Sequence, residues 1–143
     1  MDNLQDINTE AALLGALLLD PESAVPEFVA NNRDAHTLFY ELKHKNLFKL
    51  LVSLVEQGKA LDMILIASEL RRLGLEESVG GIAYVAGLQD LAPSALNAPY
   101  YAKQLRKLSA RRQCWEIGNK LLSSANDQQK DVKDIIAEAQ NAT

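Results

Sequence analysis

His36, His44 and Cys114 are the side chains here with the widest chemical repertoire, and they are few: two histidines and one cysteine in 143 residues. Imidazole and thiolate are common zinc ligands, and a thiolate beside an imidazole is a common nucleophile. Either task needs more partners than this chain supplies. No cysteine or carboxylate cluster surrounds the two histidines, so both read as surface or packing residues. Cys114 has no histidine near it in sequence and reads as a small buried hydrophobe. Asp127, Asp131 and Asp134 stand together as cation ligands would. Helix capping explains Asp131 and Asp134 more simply, and the pattern of a calcium loop is missing. There is also no Gly-x-x-x-x-Gly-Lys-Ser/Thr run to cradle a phosphate. These residues point away from catalysis and towards binding or assembly.

Composition narrows the class further. A chain of 143 residues is one domain, or one domain with an appendage. Leu and Ala dominate and only 6% of residues are aromatic, which favours packed helices over sheets. The net charge of −4 argues against a domain built mainly to grip a nucleic-acid backbone. A lone cysteine excludes an internal disulfide and suits a reducing cytosol. No apolar run reaches the roughly 18 residues that span a bilayer, and the N-terminus lacks the basic start of a signal peptide.

The elements follow from periodicity. A first helix is expected over Thr9–Leu19, capped by Asn8 or Thr9, with Glu10 at the positive end of its dipole. Gly15 costs about 1 kcal/mol in a helix interior, so it implies close approach by a neighbour. A short helix is expected over Glu22–Val29, then a longer one over Leu38–Gln57, whose apolar pattern suits a central position and which Gly58 stops. Asp62 caps Met63–Leu73, and Gly74 ends it. The paired glycines Gly80 and Gly81 allow a sharp turn into a helix over Ile82–Leu91. Asn97 caps a last long helix with Pro99 just inside its start. Asp131 caps a final helix, Val132–Gln140, which folds back on the long one. The expected fold is all-α: a compact globular bundle of short helices over 1–96, followed by a protruding two-helix antiparallel hairpin over 97–143. The end at Asn141-Ala-Thr143 reads as a cut domain or a natural linker.

The second half of the long helix is apolar over a wide arc, with Trp115 and Leu122 on one side and Cys114, Ile117 and Leu121 on another. Val132–Gln140 is too short to stand alone and must pack on it. It covers one side through Val132, Ile135 and Ile136, and the other is left for a second molecule, unless the globular part covers both. Lys103, Arg106, Lys107, Arg111, Arg112 and Lys120 make this helix basic. A solvated face explains them better than a DNA contact, since acids elsewhere outweigh them. Any DNA contact would be weak and salt-sensitive.

Four segments in order carry a resemblance: Glu10-Ala-Ala-Leu-Leu-Gly-Ala-Leu-Leu-Leu-Asp20, Asp62-Met-Ile-Leu-Ile-Ala-Ser-Glu-Leu70, Ser78-Val-Gly-Gly-Ile-Ala-Tyr84 and Pro93-Ser-Ala-Leu-Asn-Ala-Pro-Tyr-Tyr-Ala-Lys-Gln-Leu105. Together they resemble the N-terminal domain of the bacterial replicative DNA helicase of the DnaB type, from about Asn8 to Leu122. The resemblance implies a non-catalytic domain whose parent chain is an ATP-dependent helicase. ATP and Mg2+ would belong to a later motor domain, and no cofactor or metal to this one. It implies hairpins pairing into dimers, three of which form a hexamer collar. It implies docking of the primase C-terminal domain, leaves room for a helicase loader, and places the protein in the bacterial cytoplasm, away from membranes. Trp115 and Leu121 fall at hairpin positions this family uses for primase contact, and Tyr84 at another; each also fits a core role. The alternative is a stand-alone phage or plasmid adaptor that modulates a host helicase. Phe28–Tyr40 matches the family only loosely.

Overall fold

The computed structural model describes residues 2–142, and Met1 and Thr143, which entered the reading of the chain ends, lie outside the described residues. Every regular element of the described residues is a helix or a 3-10 turn, with no strand. No described helix is long and apolar enough to cross a membrane.

Helix α1 (Ile7–Leu19) is the central element. Leu13, Leu14, Leu17 and Leu18 are fully buried, and so are the small residues Gly15 and Ala16 between them. Its cap is Asp6, two residues earlier than expected. The Asp6 carboxylate accepts from the Thr9 N–H at 3.0 Å and the Thr9 hydroxyl at 2.7 Å, so Thr9 completes the cap rather than supplying it. Helix α2 (Pro21–Asn31) is longer than predicted. Pro21 occupies its first turn, where a missing N–H costs nothing, and Pro26 is tolerated inside.

The third helix differs most from expectation. Ala35–Leu38 forms a separate 3-10 turn, Phe39 is extended, and α3 begins only at Leu42 and runs to Glu56. The cause is tertiary. The N–H groups of Tyr40 and Glu41 donate to the Glu10 carboxylate at 2.9 and 3.2 Å, so the chain is held open here. Helix α3 is amphipathic rather than central, packing Leu47, Phe48, Leu51 and Leu54 inwards with Lys45 and Lys49 outside. The rings of Phe28 and Phe39 lie 6.1 and 5.1 Å from that of Phe48, tying α2 and the turn to α3. At its end Lys59 N–H donates to Leu54 O and Gly58 N–H to Val55 O, with Gly58 at φ +66. That pairing satisfies two orphan carbonyls of the last turn.

Asp62 caps α4 (Met63–Leu73) by accepting from Leu65 N–H at 2.9 Å, and Gly74 at φ +67 ends it. Helix α5 (Ile82–Gly87) is shorter than expected, because Leu88–Leu91 tightens into a 3-10 turn laid on α1. Asn97 does not cap the long helix α6 (Ala98–Ala125) with its side chain. A 3-10 turn over Ala95–Asn97, capped by Ser94, runs straight into it. Ala98, Ala102, Leu105, Ser109 and Arg112 form the buried stripe that lays the first half of α6 on the bundle around α1, here called the head. The second half carries α7 (Val132–Ala142).

Candidate functional site

Two places on this frame hold the residues singled out by the sequence. The first is the arm, meaning the outer half of α6 with α7 packed on it. Ile117, Leu121, Ser124, Ile135, Glu138, Ala139 and Ala142 line the seam between α6 and α7. Ile135 is 8% exposed, so it works inside the arm, holding α7 down, rather than on its outer surface. The other apolar residues remain in solvent. Leu122 is 65% exposed, Val132 67%, Ile136 51%, Trp115 48% and Leu121 41%. Ser124 is the sole buried position of α6 after Arg112, so the outer half of that helix has little core of its own. Gly118 lies between Trp115 and Leu121 with nothing within 4 Å of where a Cβ would be.

Cys114 is exposed, not a buried hydrophobe, because it lies off the buried stripe of α6 that ends in Ser109 and Arg112. Arg112 departs in the other direction. It is buried, donates to the carbonyls of Leu4 at 2.7 Å and Thr37 at 3.1 Å, and so anchors α6 instead of joining a solvated basic face. Arg106 is also engaged, with Asn32 and Asp34. Lys103, Lys107, Arg111 and Lys120 are exposed.

The second place is the glycine turn. Gly80 and Gly81 have φ of +90 and +93, a region open to glycine and strained for other residues. A Cβ on Gly80 would also meet the Tyr84 ring at 3.0 Å and the Lys43 side chain at 3.2 Å. The turn therefore seats Tyr84 close to the backbone. Lys43 Nζ lies 4.0 Å from the centre of that ring, within cation–π range. Asn46 of α3 donates to Ser78 O at 2.9 Å and pins the loop before the turn.

Beneath Tyr84 is a buried polar chain that the sequence reading missed. His44 Nε2 is 2.7 Å from the Tyr84 hydroxyl, and His44 Nδ1 is 3.0 Å from Glu10 Oε1. Glu10 and His44 are both wholly buried. Periodicity carried the signal for both. Glu10 shares its face with Leu13, Leu14 and Leu17, and His44 with Leu47, Phe48 and Leu51, at offsets of three, four and seven. A polar group on the apolar stripe of each of two neighbouring helices must find a partner, and the cheapest is the other. His36 is exposed and takes no part.

Among the described residues no three His, Cys, Asp or Glu side chains are grouped to hold a metal ion. The geometry offers surfaces rather than a cleft with reactive groups. Tyr84 lies on the head, in α5, while Trp115, Leu121, Leu122, Val132, Ile135 and Ile136 all belong to the arm.

Comparison with known proteins gives a consistent family. The model for the DnaB-like helicase N-terminal domain matches residues 2–107. The replicative DNA helicase DnaC of Bacillus subtilis (strain 168) is 29% identical over 136 residues, covering 95% of this chain and 29% of that protein. The replicative DNA helicase DnaB of Treponema pallidum (strain Nichols) is 33% identical over 120 residues, 84% of this chain and 27% of that protein. The chain thus spans under a third of the length of these curated relatives. The crystal structure of the N-terminal domain of DnaB helicase from Mycobacterium tuberculosis superposes with a TM-score of 0.81 at 30% identity, covering 96% of this chain and 95% of that one. A DnaB-like replicative helicase, described with its interactions with primase, shares the fold at a TM-score of 0.76 and 20% identity, covering 96% of this chain and 32% of that one.

Proposed function

This chain belongs to the family of DnaB-like helicase N-terminal domains, and from that premise we propose that it is the non-catalytic assembly and docking domain of a bacterial, cytoplasmic replicative DNA helicase. Unwinding, ATP and Mg2+ belong in this reading to the part of the protein beyond these residues, since relatives extend over three times as far. The working units are a head over 1–96 and an arm over 97–143.

One observation carries the reading: the arm has more apolar surface than its own chain covers. Trp115, Leu122, Val132 and Ile136 stay about half exposed or more, although α7 is already folded onto α6. Apolar side chains gathered on a protruding hairpin are a usual mark of protein contact, with tryptophan among the strongest anchors. The occupant proposed is a second arm, giving a dimer and, in the full protein, a hexamer of three dimers. Docking of the primase C-terminal domain uses Tyr84, Trp115 and Leu121, and a helicase loader shares the exposed surface. Contact with DNA is at most weak, because the chain is acidic overall and Arg112 and Arg106 are spent on the head.

Sedimentation velocity tests this. The wild-type chain is expected to associate with rising concentration, and Trp115→Asp to stay monomeric with its helical circular dichroism intact. An unchanged mass distribution in a folded Trp115→Asp chain would remove the arm as the assembly surface.

A further inference from the structure

Glu10 and His44 have no part in the reading above, yet both are fully buried. An ionisable pair is a poor way to join helices: well-packed apolar residues in its place are often as stable or more so. The bonds of this pair lead outwards. The Glu10 carboxylate accepts from Tyr40 N–H at 2.9 Å and Glu41 N–H at 3.2 Å, and its Oε1 lies 3.0 Å from His44 Nδ1. Both carboxyl oxygens of Glu10 already act as acceptors for backbone N–H groups, and the arrangement in which Oε1 also accepts from His44 puts the hydrogen on Nδ1. In a neutral ring Nε2 is then left with its lone pair, and the Tyr84 hydroxyl, 2.7 Å away, donates to it. Tyr84 is itself half-buried, with its ring against the Gly80 turn and the Lys43 ammonium 4.0 Å from the ring centre. Its orientation is therefore set from the core, through a tautomer that Glu10 selects.

We infer that Glu10 and His44 are positioning residues for a docking site made by Tyr84 and Lys43, holding the phenol ring and the cation in place before a partner protein arrives. The inference rests on the reading that Tyr84 meets the primase domain. Ordering a side chain in advance lowers the cost of binding. A mere weld between α1, α3 and α5 would have no such effect on a partner.

Calorimetric titration of this chain with the primase C-terminal domain tests it, using Tyr84→Phe, His44→Asn, His44→Gln and Tyr84→Ala. Tyr84→Phe removes only the hydroxyl. The amide of His44→Asn can still serve Glu10 but does not reach Tyr84, and that of His44→Gln reaches the Nε2 position. Tyr84→Phe and His44→Asn are each expected to weaken binding about three- to tenfold, the worth of one hydrogen bond. The double variant should be no weaker than either, because both break the same bond. His44→Gln should restore much of the loss. Self-association through the arm should be unchanged in all of them. Normal binding by both Tyr84→Phe and His44→Asn, with weak binding by Tyr84→Ala, overturns the inference and leaves the docking site standing. Normal binding by Tyr84→Ala overturns the docking site, and the inference with it. Additive losses in the double variant also overturn the inference. If His44→Asn does not fold, Tyr84→Phe decides alone, since it leaves the Glu10–His44 pair intact.

Discussion

The Cα of Gly15 faces the carbonyl of Leu88 so closely that a Cβ would stand 2.0 Å from its oxygen. Two effects oppose each other in Gly15→Ala. Helix propensity favours alanine by about 1 kcal/mol. Overpacking against a backbone group, which cannot rotate away, costs roughly 1–3 kcal/mol or more. The clash should win, because the 3-10 turn Leu88–Leu91 is also tied to α1 by Gln89 donating to Leu18 O at 2.7 Å. The expected outcome is a lower urea midpoint with unchanged slope, and a gain in stability would show that the turn can lift off α1.

Glu69 gives a pH dependence with a definite sign. Its carboxyl is held down from the ordinary 4.5 to about 2, first by hydrogen bonds from Arg72 and then by Lys59. Arg72 reaches it at 2.6 and 2.9 Å, and Lys59, across the loop from α3, at 2.9 Å. A depressed carboxyl stabilises the fold fully above 4.5 and loses that contribution as pH falls towards 2. The effect is small, because the cluster is at the surface and screened by salt. Glu69→Gln should lose stability above about pH 5 and show a flatter fall between about pH 4.5 and pH 3 than the wild type does. Urea midpoints across that range check it, and equal slopes in the two chains would refute it.

Gly118 separates the needs of one protomer from those of an assembly. Nothing in this chain lies within 4 Å of its missing Cβ. Gly118→Ala should therefore raise thermal stability, by about 1 kcal/mol from helix propensity. If a second arm crosses α6 beside Trp115, the larger Gly118→Leu should weaken self-association while leaving the protomer folded. Sedimentation and thermal melts on the same samples separate the two effects.

Helix stops and strongly capped starts were legible in the sequence, because their chemistry is local. Gly58, Gly74 and Asp62 act where their types and places implied. The start of α3 was not legible. Its apolar pattern reaches back to Leu38, but the N–H groups of Tyr40 and Glu41 are taken by a carboxylate about thirty residues away. Local propensity cannot report such a bond. The dipole of α1 accounts for Glu10 locally, but its place on the apolar stripe of that helix puts it in the core. Arg112 is masked in a similar way: a helix mostly basic on paper has one arginine on its buried side, reaching two carbonyls distant in sequence. The exposure of the arm's apolar side chains was more readable. Its apolar arc is too wide for one short covering helix, and that follows from counting residues around α6.

Helix α6 runs unbroken for 28 residues, about 42 Å, from the head to the tip of the arm. Its inner half is bolted down by Leu105 and Arg112. No hinge separates root from tip, so the arm is a lever. A protein held by the far end therefore has its head aimed along that one axis.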